Sequence, residues 1–153
     1  MASSPKLTHS KDAFAILLAS YHANLELLGI STVYGNAPLS STTRNALSVL
    51  QAIGSNGTRV HLGRSQPFCR ETVSAPDIHG ESGLDGTNLL PPPDRYPLTA
   101  CNAIKDMRDA LMSCAPGTAW LVATGPLTNI ALMFAVYPEV IAYLHFLKRF
   151  LHL

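Results

Sequence analysis

Apolar positions recur along the chain with two periods, one near three and a half residues and one continuous or alternating, and their succession predicts the fold. "KDAFAILLAS", Lys11 to Ser20, is apolar nearly all round after Asp12, which predicts a helix buried on most of its surface. "LELLGISTV", Leu25 to Val33, is rich in β-formers and closes on Gly35-Asn36, predicting a strand. Ala46, Val49, Leu50 and Ile53 then fall at i, i+3, i+4, i+7, predicting a helix capped by Ser40 or Ser41 and ended by Gly54. "TRVHLG", Thr58 to Gly63, predicts a short strand. The stretch from Arg64 to Pro97 crowds Gly, Pro and Asp into a loop far longer than the usual span of about 4–6 residues.

Helical spacing resumes at Ala100, Ile104, Met107, Leu111 and Cys114, and Pro116-Gly117 break it. "TAWLVATG" predicts a continuous, fully buried strand, and "GPLTNIALMF" a further helix. Val140, Ile141, Leu144, Leu147 and Leu151 keep a helical stripe through the tail. Strands alternating with helices predict an α/β fold, an open, mostly parallel sheet with helices on both faces. Sites in such folds lie at the carboxyl ends of the strands. A length of 153 residues suits one domain over 1–153.

Composition narrows the partners. Eleven Lys+Arg against ten Asp+Glu leave a charge of +1, and the basic residues are scattered apart from Lys148-Arg149, which argues against nucleic acid. Cys69, Cys101 and Cys114 are odd in number and lack a CxxC spacing, arguing against a disulfide framework and a zinc site. The first residues lack an apolar export signal, and the run from Ile130 is broken by Pro138, Glu139 and Lys148 before the roughly 20 residues of a membrane span. A cytoplasmic chain without a membrane partner is the expectation. Asn56-Gly57-Thr58 fits a glycosylation sequon but reads as a turn.

Three places follow predicted strands: Tyr34-Gly35-Asn36, the His79 loop and Thr124-Gly125-Pro126. Asn36 offers an amide able to donate and accept, though it also suits simple turn chemistry, and Thr124-Gly125 also suits a helix start. "DIHGESGLDG", Asp77 to Gly86, sets His79 among three acids and three glycines, a mixture suited to the edge of a polar pocket. His22, His61, His145 and His152 lack such company and read as surface or core residues. No GxGxxG, P-loop, HExxH or GxSxG occurs.

"DAFAILLA", "LELLGISTVYGN", "APDIHGESGLDG", "LVATGPLTNIAL" and "YPE" stand in the order and at the spacing of the inosine/uridine-preferring nucleoside hydrolases, which this chain resembles over residues 12 to about 140. Residues 1–11 and 141–153 diverge. The resemblance implies an open α/β fold and cleavage of the N-glycosidic bond of ribonucleosides to ribose and free base. It also implies a calcium ion that orients the ribose hydroxyls and the attacking water. By the same resemblance Asp12 and the main-chain carbonyl of Thr124 are metal ligands, while Asn36 and His79 contact the nucleoside.

The family's aspartate signature, D-x-D-P-G-x-D-D, supplies most of the metal-binding carboxylates and the proton acceptor for water. Here Asp12 takes the last place, Lys11 the one before it, Leu7 that of the proton acceptor and Pro5 the first. Calcium takes about 6–8 oxygen ligands, so the remaining set predicts weak binding. Lys11 adds repulsion of roughly 1–4 kcal/mol toward a cation within a few ångströms. The family's later His-Asp pair has no counterpart either. The chain is therefore expected to be weakly active or inactive, with no assigned catalytic residue. The alternatives are a non-catalytic module binding a nucleoside or sugar, and a fragment completed by another chain or a second copy of itself.

Overall fold

A computed structural model of the chain describes residues 11–72, 83–84, 89–99 and 102–149. Its elements run α1 (Lys11–Tyr21), β1 (Ile30–Thr32), α2 (Leu39–Ala52), β2 (Val60–Leu62), α3 (Ala103–Met112), β3 (Ala119–Ala123), α4 (Thr128–Val136), a 3-10 helix (Pro138–Tyr143) and β4 (Leu144–Arg149). Both strand pairs are parallel. β1 pairs with β2 in the register Ile30 to Val60, and β3 with β4 from Ala119 opposite Leu144 to Ala123 opposite Arg149.

Side chains of the first pair assign the helix layers. Ile30 and Val60 enter a cluster with Leu47 and Leu50 of α2 and Ile16 of α1. His61, one residue on from Val60, points the other way, and its Nδ1 lies 2.9 Å from Asp106 Oδ2 on α3. Helices therefore cover both faces of this parallel pair, the doubly wound arrangement that the alternation of elements predicts. On the second pair, Ala119 and Leu121 join Ile104 and Leu111 of α3, Met133 of α4 and Val140 of the 3-10 helix. Leu50, Met133 and Val140 are the largest fully buried side chains among the described residues.

α2 forms where its apolar spacing puts it, with Ala46, Leu47, Val49 and Leu50 buried. Its start differs from expectation: Pro38, not Ser40 or Ser41, is the capping residue. The extended ψ of Pro38, 154°, turns its carbonyl to accept from Ser41 N and Thr42 N, both at 3.0 Å. α3 begins at Asn102, whose side chain accepts from Ile104 N at 3.0 Å, so the predicted helix opens later than Ala100, which lies outside the described residues.

Four further expectations change. The strand predicted over Leu25–Val33 shrinks to Ile30–Thr32, the length that the three-residue β2 can pair. β3 is not buried on both faces: Ala119 and Ala123 are buried but Trp120 and Val122 are 52% and 50% exposed, because among the described residues helices cover only one side. The tail stripe is not one helix. Val140 and Ile141 lie in the 3-10 turn, and Leu144 and Leu147 lie in β4, where pairing along β3 overrides the helical spacing; Leu151 lies outside the described residues. α1 is a helix, yet none of its residues is buried. Among the described residues no helix is long and apolar enough to cross a membrane.

Candidate functional site

The loops that leave β1, β2 and β3 converge at the carboxyl ends of these strands, and one buried side chain joins them. Asn129, 4% exposed in the first turn of α4, donates from Nδ2 to Thr32 O and Ser31 Oγ, both at 2.9 Å. Its Oδ1 accepts from Arg64 N at 2.8 Å. Both amide hydrogens and the carbonyl oxygen are thus used, the condition under which a buried amide rigidifies its surroundings. Gly63 N also donates to Thr32 O at 3.0 Å, and Tyr34 N to Arg64 O at 3.0 Å. A Cβ on Gly63 would overlap Asn129 Nδ2 and Thr32 O, so only glycine lets the strand end pass the amide this closely.

Neutral hydroxyls extend the junction. Tyr34 OH pairs with Thr128 Oγ1 at 3.0 Å and Thr32 Oγ1 with Thr43 Oγ1 at 2.8 Å, while Thr42 Oγ1 donates to Val33 O at 3.0 Å. These bonds hold α2 and α4 against the turn that carries Asn36. They also bring two of the predicted places side by side. A Cβ built on Gly35 would sit 3.8 Å from Pro126, and one on Gly125 3.4 Å from Val33.

Asn36 itself is exposed on this turn, where Gly35 N donates to Ala37 O at 3.1 Å, and Thr124 is half-buried directly after β3. His79 lies outside the described residues. Gly83 is described: it has a φ of +73°, and a Cβ there would overlap that of Ala37, the neighbour of Asn36. Asp12 stands exposed in the first turn of α1, beside exposed Lys11. Asn129, Gly63 and the Tyr34–Thr128 pair escape a residue-type search, because each works through partners far away in sequence. The one local signal is a neutral amide at the start of an otherwise apolar helix.

Among the described residues the donor set is too sparse for a calcium ion; Asp77, His79, Glu81 and Asp85 lie outside them. Among the described residues no three His, Cys, Asp or Glu side chains gather into a group that could hold a metal. Asp12, Asn36 and the Thr124 carbonyl contribute one carboxylate between them, against the 6–8 oxygens that calcium takes. What the strand ends offer is the exposed Asn36 amide beside the half-buried Thr124, while the hydroxyls of Thr32, Thr43 and Thr128 are buried and paired within the chain.

A family model described as inosine-uridine preferring nucleoside hydrolase matches residues 8–147. The chain is 44% identical over 128 residues to the uridine nucleosidase of Saccharomyces cerevisiae, a match covering 83% of this chain and 37% of that protein. It is 40% identical over 130 residues to the inosine-uridine preferring nucleoside hydrolase of Crithidia fasciculata, covering 85% of this chain and 41% of the other. Among solved structures, a purine-preferring ribonucleoside hydrolase from Gardnerella vaginalis superposes with a TM-score of 0.77 at 27% identity, over 90% of this chain and 43% of that one. The chain thus spans about two fifths of the length of the relatives it matches.

Proposed function

The chain belongs to the inosine-uridine preferring nucleoside hydrolase family, and from that premise we propose that the carboxyl ends of its strands hold the ribose of a nucleoside while its capacity to hydrolyse the N-glycosidic bond is largely lost. The observation that carries the reading is the junction at Asn129, which fixes the turn bearing Asn36 against the segment bearing Thr124. The Asn36 amide can donate to one ribose hydroxyl and accept from the next, and the Thr124 carbonyl can accept from a third. By the family resemblance His79 is a further nucleoside contact, and it lies outside the described residues.

Hydrolysis needs a group that takes a proton from the attacking water. The family's signature places carboxylates where this chain has Pro5, Leu7 and Lys11, so Asp12 is the one acid left in that row. General-base help is worth about 10²–10⁴-fold, and a chain without it forfeits at least that factor. In the family, a bound calcium ion supplies positive charge to orient the sugar and to acidify water. The donors present here do not make such a site.

Titration calorimetry with ribose and inosine, together with a hydrolysis assay on inosine and uridine in the presence of calcium, tests the reading. Weak sugar binding with turnover at least 10²-fold below that of the yeast uridine nucleosidase is the expected result. Turnover matching that enzyme would overturn the loss of activity. An absence of heat with both ligands would overturn the ribose site.

A further inference from the structure

At the amino end of β2, away from Asn36 and Thr124, a cleft of about 170 Å³ lies between α2, β2 and the segment that rejoins β2 at Leu98. Its lining includes buried Leu47 and Val60, exposed Tyr96 and Leu98, and the arginines Arg59 and Arg95. Leu98 N donates to Val60 O at 2.8 Å, which holds the segment in place. Arg95 is held too: Nη1 donates to Asn56 O, and Nη2 to Ser55 O at 3.3 Å. Its Nε, by contrast, is buried and has no partner among the described residues. A buried guanidinium N–H without an acceptor is costly, and such a donor calls for an acceptor from a bound molecule.

Size, charge and lining identify the class of that molecule. The volume exceeds the roughly 30 Å³ share of one water and falls below the roughly 300–1,000 Å³ of sites for drug-sized ligands, so the ligand is small. Its charge is negative, because among the described residues neither Arg59 nor Arg95 is paired with a carboxylate; Asp94, next in sequence to Arg95, is exposed and pairs with neither. The planar fork of a guanidinium matches the two oxygens of a carboxylate. Its body is apolar, because the side chains of Leu47, Val60 and Leu98 have no hydrogen-bonding group, and a bare inorganic anion would leave them in water. We propose that this cleft binds a small branched aliphatic carboxylate, its charged end on Arg95 Nε and Arg59 and its tail against Leu47, Val60 and Leu98. The cleft stands apart from the carboxyl ends of the strands, so the proposal does not rest on the ribose reading.

Proton–nitrogen correlation NMR of the 153-residue chain, titrated separately with 3-methylbutanoate, acetate and inorganic phosphate, tests the proposal. A saturable shift of the Arg95 Nε–H resonance is expected with 3-methylbutanoate. Acetate, which lacks the tail, and phosphate, which lacks any apolar body, should each bind at least tenfold more weakly. Arg59→Met should weaken 3-methylbutanoate binding at least tenfold while the melting temperature of the free chain stays unchanged, because Arg59 is exposed and its side chain makes no hydrogen bond among the described residues. Absence of a saturable shift with all three anions overturns the proposal, as does a shift indifferent to Arg59→Met. Phosphate binding as tightly as 3-methylbutanoate overturns the aliphatic class of the ligand.

Discussion

At the carboxyl ends of the strands, Asn129 spends every hydrogen-bonding group it has on partners from β1 and the residue after Gly63, whereas α1, on the flank, leaves four large apolar side chains in water. Both regions are named by the same family resemblance, yet only the first is closed by contacts within these residues. The polar junction depends on groups that the chain itself supplies at 65 and 98 residues' distance in sequence. The outward face of α1 is not buried by any of the described residues. The geometry of the strand ends thus rests on neutral side chains and does not draw on Asp12.

If the junction is self-sufficient, breaking it has the largest effect. Asn129→Leu leaves Arg64 N short of its partner at a buried junction, while Thr32 O keeps Gly63 N, which costs about 1–3 kcal/mol in urea unfolding. It also frees the turn at Asn36 from the segment at Thr124, so ribose binding should be lost together with the stability. A variant that unfolds like the parent would show that the strand ends are held by the hydroxyl pairs instead.

The contrast also explains what was legible in the sequence. α2 and α3 were, since Leu50 and Ile104 declare their faces by spacing that survives in the folded core. Of the candidate places after strands, the loops of Asn36 and Thr124 are set side by side by the fold. The segment Leu144–Arg149 was not, because a short apolar run fits a helix or a strand equally, and only the edge of β3 decides. Neither was Asn129, whose partners no local pattern names. The burial expected for α1 from its composition is not met, since none of its residues is buried.

Two α1 substitutions sharpen the same comparison at smaller scale. Ile16→Ala removes the side chain that docks the helix on α2 and should cost roughly 1–2 kcal/mol, less than a fully buried residue because the site is half exposed. Leu18→Ala on the outward stripe should stay within about 0.5 kcal/mol of the parent. Thermal unfolding of the two side by side reads the difference. Equal losses would mean that the stripe is covered within the chain after all.

The smallest effect concerns charge. Ser31, Thr32, Thr43, Thr128 and Asn129 do not titrate, so acid has no handle on the junction through them, whereas the surface of α3 carries one. Lys105 Nζ and Arg108 Nη1 each lie 2.5 Å from a carboxylate oxygen of Asp109. The hydrogen bond from Lys105, then that from Arg108, holds the Asp109 carboxyl below its ordinary value, while both cations are held above theirs. A carboxylate whose folded value is depressed adds stability that is present above its unfolded value, near 4, and is lost as pH falls through the folded one. The three groups are exposed, so the gain is slight and screened by salt. Asp109→Asn should therefore lower the melting temperature marginally at pH 7 and not at all near pH 2, with the gap shrinking in 1 M salt. A gap that persisted at pH 2 would assign the effect to helix packing and not to charge.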